Sequence, residues 1–548
     1  MAHWLLETPL LWGVGGFAGY FYYTQFIKQI SWNTIELLIA QHVLQYGTYV
    51  TSLDYPSALT WRPVVPTLIV AFVRIWTADP MLIYQIICGA TLAGLAVMMF
   101  LAARLLWGNV AGHLAAFFTL TCPAITTGLI NHFHSYSHLG ALIVLGPALY
   151  CALLLLQDRP PGMAPTWRLH ALSGLLWGLA YLSRSELMLF AGGHFLLMLW
   201  LHRRRRLPLA PLAAWWLMFL VCFIPYNAYA DHVATRDGLL ARKSIYTLYM
   251  SQGWADPPPD AVADTEGSGY AYAIKLYGDP LANGESAIRA FRNNLPAFER
   301  RVRLNTEAFY LSFHDPDFFP PVWAAAALLT AGMFVTGLIP PAQRLSVCLL
   351  LGCFVAIHFI LIYHIDRRYL TVAIPALILL ASGGVHYLLH GIGRLPRPLA
   401  VGLNVAVFAG LIFASRAEFR TLHDHLPRNR QSLAAMDSLG THFRSLVPHP
   451  HLAGNREPHI GFVAPANSPI YPEDPTLLAY FSRTAWVNHG AEGTFPRGRF
   501  YSFRECADDY RYVPAEQLAA QTADPSIKVI ADYVNPVLGR YYLLQLNP

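Results

Sequence analysis

The sequence has little charge. Only 13% of its 548 residues are Asp, Glu, Lys or Arg, whereas soluble domains typically have roughly 25%. Hydrophobic residues make up 55% of the chain, and the mean hydropathy is +0.38. A soluble globule cannot bury so much apolar surface, and a disordered chain would be more charged and less aromatic. Both classes are therefore excluded, and the composition indicates a membrane protein.

Acidic residues are scarcest in the first 230 positions. A functional carboxylate in this part of the chain has few candidates, which are Glu7, Glu36, Asp54, Asp79, Asp158 and Glu186.

The net charge of +6 is a weak argument for nucleic-acid binding, and no nucleic-acid partner is expected. Four of the positive charges stand together in Arg203–Arg206, directly after an apolar run. This pattern is typical of a cytoplasmic membrane anchor.

Cysteine pairs and cofactor motifs are also missing. Six of the seven cysteines lie in apolar segments, where cysteine behaves as a small hydrophobe, and Cys506 stands alone in the polar C-terminal region. The sequence has no CxxC or HExxH spacing and no Gly-rich phosphate-binding loop. We therefore expect neither a disulfide framework nor a cofactor, and a divalent metal is not indicated.

Long apolar stretches are what the sequence does contain. Residues 9–27 lack a basic n-region and a cleavage site, so they predict a retained first span. Ten further stretches predict about eleven spans in all: 80–106, 109–126, 136–157, 170–186, 188–202, 207–229, 319–338, 343–363, 369–390 and 398–415. The Lys/Arg bias of the short loops predicts a cytoplasmic N-terminus and an extracytoplasmic C-terminus.

Three longer segments are predicted on the outer side. Residues 1–415 form the predicted transmembrane domain, with outer loops 28–79 and 231–317. The first loop predicts an amphipathic helix at Thr34–Leu44, a turn at Gly47 and a second helix after Pro63. Residues 416–548 predict a small α/β domain, with helices at 429–446 and 515–521 and strands at His459–Val463, Ala485–Asn488, Lys528–Asp532 and Tyr541–Leu546. The predicted fold class is thus a mainly α, polytopic membrane protein with a C-terminal α/β domain.

Three segments carry a family resemblance. The first outer loop contains SWNTIELLIA (31–40), GTY (47–49) and TWRPVVP (60–66). The second segment is GLLWGLAYLSRSE (174–186), and the third is RYLTVAIP (368–375). Together, and in this order, they resemble segments of GT-C glycosyltransferases of the protein-mannosyltransferase and aminoarabinose-transferase type. The resemblance covers roughly residues 8–415.

The resemblance implies an enzyme of the bacterial inner membrane with its active site on the extracytoplasmic side. It implies a polyprenyl-phosphate sugar as the donor and a hydroxyl of a glycan, glycolipid or protein as the acceptor. It also implies inversion by single displacement, with a carboxylate of the first outer loop taking the proton of the acceptor hydroxyl. Membrane lipid is the remaining expected partner.

Arginines at the predicted outer helix ends fit a lipid-phosphate donor. Arg62, Arg184, Arg367 and Arg368 all lie there, although the positive-inside tendency should deplete that face of arginine. The guanidinium fork binds phosphate bidentately and stays charged. The alternative is that these side chains only extend to the membrane interface.

The general base is the point at which this sequence departs from the family. Trp32 and Asn33 occupy the positions where the family's acidic pair is usual. Glu36 lies one helical turn further on the same face and is the first candidate. Asp54 is the second candidate. An acid from residues 231–317, or no working base, are the alternatives left open.

Two polar groups are further candidates for substrate contact. His132 and His134 belong to the run NHFHSYSH (131–138) at the predicted outer end of the fourth span. They predict contact with substrate hydroxyls or phosphate, with helix-start hydrogen bonding and a metal as alternatives. Tyr249 and Trp254 predict part of an acceptor site, because sugars stack on aromatic rings. Packing within the loop is equally consistent with their positions.

Two other function classes remain alternatives at the level of sequence. A transporter or flippase of an amphiphilic anion would also use interfacial arginines, but such proteins usually show paired halves, and no such duplication is evident in the sequence. A catalytically silent binder of lipid-phosphate sugar would explain the missing acidic pair.

Overall fold

The computed structural model describes residues 2–23, 34–47, 49, 64–77, 80–130, 136–157, 167–206, 208–233, 248–249, 251–255, 266–284, 286–315, 318–362, 367–414, 438, 441, 459–463, 485–489, 500–505, 527–535 and 539–546. Helices make up nearly all of the described chain up to residue 414, and strands make up nearly all of it from residue 459.

The helices fall into three groups along the chain. The first group is α1 (Ala2–Tyr23), α2 (Thr34–Tyr46), α3 (Val64–Arg74), α4 (Pro80–Trp107), α5 (Asn109–Thr121), α6 (Pro123–Ile130), α7 (Tyr136–Leu156), α8 (Trp167–Ser183), α9 (Met188–Arg205) and α10 (Ala210–Val233). The second outer segment contains α11 (Gln252–Ala255), α12 (Glu266–Tyr277), α13 (Ala287–Asn293) and α14 (Leu295–His314). The last group is α15 (Pro321–Val335), α16 (Pro341–Ile357), α17 (Arg367–Leu370), α18 (Ile374–Ile392) and α19 (Arg397–Ala414).

Every apolar stretch predicted as a span contains a helix. Within the described ranges, six helical segments are long and apolar enough to cross a membrane: Leu82–Trp107, Tyr136–Leu156, Ser185–Arg205, Ala210–Ala228, Pro341–Ile362 and Thr371–Ile392. Shorter apolar helices lie at Val64–Arg74, Pro321–Val335 and Arg397–Leu411. The chain is therefore an integral membrane protein, while the number of eleven spans stays a prediction.

One predicted span is interrupted. The stretch 109–126 is divided between α5 and α6, with an extended residue, Cys122 (φ −79°, ψ 115°), between them. The break follows from Pro123, because proline disfavours the helical conformation in the residue before it. The chain resumes as α6 with the proline at its first position, where no backbone N–H is needed.

Glycines allow two pairs of membrane helices to touch backbone to backbone. Gly174 and Gly178 lie one turn apart on the face of α8 that contacts α10. A methyl group on Gly174 would collide with the carbonyl oxygen of Trp215, and one on Gly178 would lie 2.8 Å from Cβ of Cys222. Gly384 of α18 meets the backbone of α15 in the same way. Small residues at such positions are how membrane helices pack closely without a hydrophobic driving force.

The first outer loop is attached to the bundle through α3. The Tyr49 hydroxyl and Oγ1 of Thr67 lie 3.1 Å apart, which links the turn after α2 to α3. Pro66, in the first turn of α3, packs against Gly140 of α7, where an added Cβ would lie 2.7 Å from Cγ of the proline. The predicted helix at Thr34–Leu44 is confirmed and extends to Tyr46, and the helix predicted after Pro63 is confirmed as α3. Gly47 has a positive φ of 68°, as the predicted turn requires.

The C-terminal strands form one five-stranded mixed sheet. Its strands are β1 (His459–Val463), β2 (Ala485–His489), β3 (Phe500–Glu505), β4 (Ile527–Asn535) and β5 (Gly539–Leu546), in the order β2-β1-β3-β5-β4. β1 pairs in parallel with β2 and β3, whereas β5 pairs antiparallel with β3 and β4. The four predicted strands are present. The helices predicted at 429–446 and 515–521 lie almost wholly outside the described residues, so the α/β assignment stays a prediction.

Candidate functional site

Arg184 is held inside the protein at the end of α8. Its backbone N–H still donates to the carbonyl of Ala180 at 2.8 Å, but its own φ and ψ (−154°, 121°) are extended. The chain then makes a 3₁₀ turn at Ser185–Leu187 and continues as α9. Only 7% of Arg184 is exposed to solvent. A buried guanidinium needs partners, because an unpaired charge in an apolar environment is costly.

Glu186 and His138 are two of these partners. The Glu186 carboxylate accepts from Nη2 of Arg184 at 2.8 Å and from Nε at 3.4 Å. The third contact joins Nη1 to Nε2 of His138, in the first turn of α7. A guanidinium has only donors, so Nε2 is the acceptor of this contact. The other ring nitrogen, Nδ1, lies 3.4 Å from the Ser137 hydroxyl.

The ring of Tyr369 completes this group. Cζ of Arg184 lies 4.9 Å from the centroid of the Tyr369 ring, a cation–π distance. The Tyr369 and His138 rings are 6.3 Å apart between centroids. We call these four residues, Arg184, Glu186, His138 and Tyr369, the Arg184 cluster. It joins the start of α7, the α8–α9 junction and the one-turn helix α17.

The cluster brings together two of the segments that carry the family resemblance. Arg184 belongs to residues 174–186 and Tyr369 to residues 368–375, and α17 also contacts α6. Arg367 and Arg368 are the first two residues of α17, so their backbones lie within one turn of Tyr369. Their side chains are outside the described part of the structure. This one end of the helical bundle thus has three arginines within two short segments.

Glu36 lies in the first turn of α2 and is completely buried. Its helix is tied to α3, and α3 reaches α7 at Gly140, two residues from His138. The carboxylate is therefore inside the protein rather than facing lipid. This placement is compatible with the base role, which stays a prediction.

Several predicted site residues cannot be placed with their side chains. Asp54, Arg62, His132 and His134 lie outside the described residues, and Trp254 is described only as part of the backbone of α11. Arg62 precedes the first residue of α3 by two positions, so in sequence it borders the end of α3 that packs against α7.

Tyr249 packs within the second outer segment. The residue is buried, and its hydroxyl donates to the carbonyl of Gly278 at 2.7 Å. The side-chain amide of Asn283 donates to the same hydroxyl at 3.3 Å. These contacts agree with the packing alternative for Tyr249. The acceptor role stays a prediction for both Tyr249 and Trp254.

Sequence reasoning did not single out His138 or Tyr369. His138 ends the run NHFHSYSH, where attention fell on His132 and His134, and Tyr369 stands between an arginine and a leucine in RYL. The feature that could have identified them is their position, because both lie in the first turn of a helix at the predicted outer face. Among the described residues, no three His, Cys, Asp or Glu side chains converge as a metal site. The expectation of no cofactor stays a prediction.

The Arg184 cluster is a candidate anion subsite at the C-terminal end of α8. One permanent cation contacts a carboxylate, an imidazole and an aromatic ring, and its burial strengthens these electrostatic interactions. Such an arrangement binds phosphate or carboxylate groups well.

Comparisons with known proteins define the fold. No protein-family model and no curated protein matches the sequence. Several solved structures do, and they show that the chain has the GT-C fold of membrane glycosyltransferases. One is the crystal structure of ArnT from Cupriavidus metallidurans bound to undecaprenyl phosphate, with a TM-score of 0.58 and 12% identity over 97% of this chain and 97% of that one.

Two larger proteins share the fold as well. The oligosaccharyltransferase of Archaeoglobus fulgidus, solved with zinc and sulfate, matches with a TM-score of 0.52 and 14% identity over 88% of this chain and 62% of that one. The mycobacterial arabinofuranosyltransferase AftD matches with a TM-score of 0.55 and 12% identity over 98% of this chain and 40% of that one. The resemblance noted from the three sequence segments is therefore confirmed at the level of the fold.

Proposed function

We propose that this protein is a membrane glycosyltransferase that moves a sugar from a polyprenyl-phosphate carrier to an acceptor hydroxyl. The observation that carries the proposal is the Arg184 cluster, a buried and oriented cation at one end of the helical bundle. The likeness in fold to ArnT, which was crystallised with undecaprenyl phosphate, supports the class of donor.

The role of the arginines follows from the charge change in the reaction. The donor is a phosphodiester with one negative charge, and the product carrier is a phosphomonoester that gains a second. Arg184, together with Arg62, Arg367 and Arg368, would stabilise this developing charge. Hydrogen-bond donors that are already oriented toward the phosphate lower the activation barrier most, because they need no reorganisation during the reaction. Glu186, His138 and Tyr369 would supply that orientation to Arg184.

A single displacement accounts for the rest of the chemistry. The acceptor oxygen forms a bond to the anomeric carbon while the bond from that carbon to the phosphate oxygen breaks, with inversion. The proton of the acceptor hydroxyl goes to a general base, for which Glu36 is the first candidate and Asp54 the second. His132, His134, Tyr249 and Trp254 would contact the sugar or the acceptor, and a carrier-linked sugar needs no nucleotide.

The proposed location is a bacterial inner membrane with the site on the extracytoplasmic side. The Arg184 cluster lies at the C-terminal end of α8, and Arg168 and the Arg203–Arg206 run lie at the other end of α8 and α9. The larger number of exposed arginines at that second end supports a cytoplasmic assignment for it. The acceptor would be a glycan, glycolipid or protein outside the cytoplasm.

The test is transfer by the full-length protein in lipid vesicles. The donors are undecaprenyl-phosphate sugars of defined pentose and hexose type, offered with a panel of glycan and lipid acceptors, and products are detected by mass spectrometry. A glycosidic product that Arg184→Gln abolishes is the expected result. Movement of the carrier lipid across the vesicle without product would identify a transporter instead. Binding of the donor without transfer to any acceptor would identify a silent binder.

A further inference from the structure

A second arginine of this protein is even more deeply buried than Arg184. Arg301, on α14, is 0% exposed. Its Nη1 donates to the carbonyl of Leu248 at 3.0 Å and to Oε1 of Gln252 at 2.6 Å, and its Nη2 donates to Oγ of Ser251 at 2.6 Å. One side of the guanidinium therefore holds the segment 248–252 of the second outer loop.

The other side of Arg301 holds a different part of the chain. Its Nε donates to the carbonyl of Ile362 at 3.0 Å, and Nδ2 of Asn305, one turn further along α14, donates to the carbonyl of Leu361 at 2.7 Å. These two carbonyls close the 3₁₀ helix His358–Ile362. The last carbonyls of a helix have no partners within it, so side-chain donors from a neighbouring helix fix where it ends.

The fixed end stands directly before α17. Only residues 363–366 separate Ile362 from Arg367, and a chain advances at most about 3.5 Å per residue. α17 has a single turn and cannot be stable by itself, so its position depends on the chain on both sides. After α17, the buried residues Thr371–Ala373 lead into α18. Before it, the nearest anchor among the described residues is the contact of Arg301 and Asn305 with Leu361 and Ile362.

We propose that Arg301 and Asn305 are positioning residues that hold α17, and with it Tyr369, against Arg184. The identification of the bound group as a lipid phosphate rests on the proposed function, whereas the placement of Tyr369 does not. Because the same guanidinium holds Leu248, Ser251 and Gln252, the second outer segment is mechanically joined to the anion subsite. A change in that segment is then transmitted to Arg184 through α17.

The experiment compares four full-length variants in nanodiscs. Arg301→Met removes the cation and all its donors, and Arg301→Lys keeps the charge but loses the fork. Asn305→Leu removes only the contact with Leu361. The matched control is Arg303→Met, an exposed arginine on the same helix. One readout is the Kd for undecaprenyl phosphate, and the other is the ¹⁹F chemical shift of 3-fluorotyrosine at position 369.

Arg301→Met is expected to weaken undecaprenyl phosphate binding by about tenfold and to move the ¹⁹F shift. Asn305→Leu is expected to change the Kd and the ¹⁹F shift to a smaller extent. Arg301→Lys is expected to retain only part of the binding affinity and of the parent ¹⁹F shift. Arg303→Met is expected to change neither quantity. If Arg301→Met does not fold, Asn305→Leu decides. An unchanged ¹⁹F shift in the folded variants would overturn the proposal. Arg184→Gln is measured in addition as the reference for the phosphate site. If the ¹⁹F shift moves in the Arg301 and Asn305 variants but Arg184→Gln leaves undecaprenyl phosphate binding unchanged, the positioning holds and the proposed phosphate site fails.

Discussion

The guanidinium of Arg184 lies over the ring of Tyr369, with Cζ 4.9 Å from the ring centroid, although the two residues belong to widely separated segments of the chain. The ring contacts the cation, and the Glu186 carboxylate accepts from Nη2 and Nε, so the guanidinium has little freedom to turn. A guanidinium held in one orientation can present its donors to a bound anion. An arginine at the membrane interface that only extends to water is not held in this way.

Arg184→Gln is expected to reduce kcat/KM for transfer by about 100-fold or more, because it removes a charge-stabilising donor at the leaving group. Steady-state kinetics with an undecaprenyl-phosphate sugar measures the effect. The matched control is Arg168→Gln, at the opposite end of the same helix, which should leave kcat/KM within about twofold of the parent, as expected for a surface position. Equal losses in both variants would show that Arg184 has no special role.

His138 is expected to act through its acceptor nitrogen. His138→Leu leaves Nη1 of Arg184 without this partner and should weaken undecaprenyl phosphate binding by about tenfold, the effect of one lost hydrogen bond to a charged group. His138→Gln keeps a side-chain acceptor and should recover most of the affinity. Isothermal titration in detergent measures both values. A full loss with glutamine as well as with leucine would point to the imidazole itself rather than to the contact.

Glu36→Gln is expected to lower kcat by about 10²–10⁴-fold, the usual contribution of a general base, without changing the Kd for the donor. The amide has the same shape as the carboxylate but cannot take the proton of the acceptor hydroxyl. Single-turnover kinetics separates this step from binding. Asp54→Asn is the parallel variant, and a large loss there with near-normal turnover in Glu36→Gln would transfer the role to Asp54. Normal turnover in both would remove both candidates.

Gly174→Ala is expected to destabilise the protein by about 1–3 kcal/mol, because the added methyl group forces α8 away from the backbone of α10. Thermal unfolding in detergent measures the change as a lower Tm. Gly193→Ala on α9 is the control, since an added Cβ there meets no atom within 4 Å. That variant should keep or slightly raise the Tm, because alanine is the better helix former. A Tm of Gly174→Ala equal to that of the control would contradict the close contact.

The sequence predicted much of the fold because the signals for it are local. Apolar runs predicted the helices α1, α4, α5, α7 to α10, α15, α16, α18 and α19, and Gly47 and Pro63 correctly marked the ends of segments in the first outer loop. The strand β3 was missed although FYSFRE is rich in aromatic residues. It lies in the middle of the sheet, between β1 and β5, and the pairing that holds it there joins residues far apart in sequence. Such long-range register has no local pattern from which to predict it.

The candidate site was predictable only in part for a similar reason. Arg184 and the segment 367–370 could be named from motifs, and the side chain of Arg184 is now placed. The neighbours that orient Arg184 could not be named, because His138 and Tyr369 acquire their meaning only when α7, α8 and α17 meet. Tyr249 shows the opposite case. Its aromatic ring and hydroxyl suggested sugar binding, and only the structure shows that both take part in the packing of the second outer segment.

The glycines of α8 also determine where Arg184 lies along the helix pair α8–α10. The helix has 17 residues, about 25 Å at 1.5 Å per residue, slightly less than the roughly 30 Å thickness of a hydrocarbon core. Gly174 and Gly178 lock this helix in one axial register against α10, and Arg184 follows its last residue. Sliding α8 by a single turn would move the cation about 5.4 Å along the helix axis. The helix pair therefore fixes the axial position of Arg184, and under the proposed function this position sets the depth at which a carrier phosphate would meet the arginine.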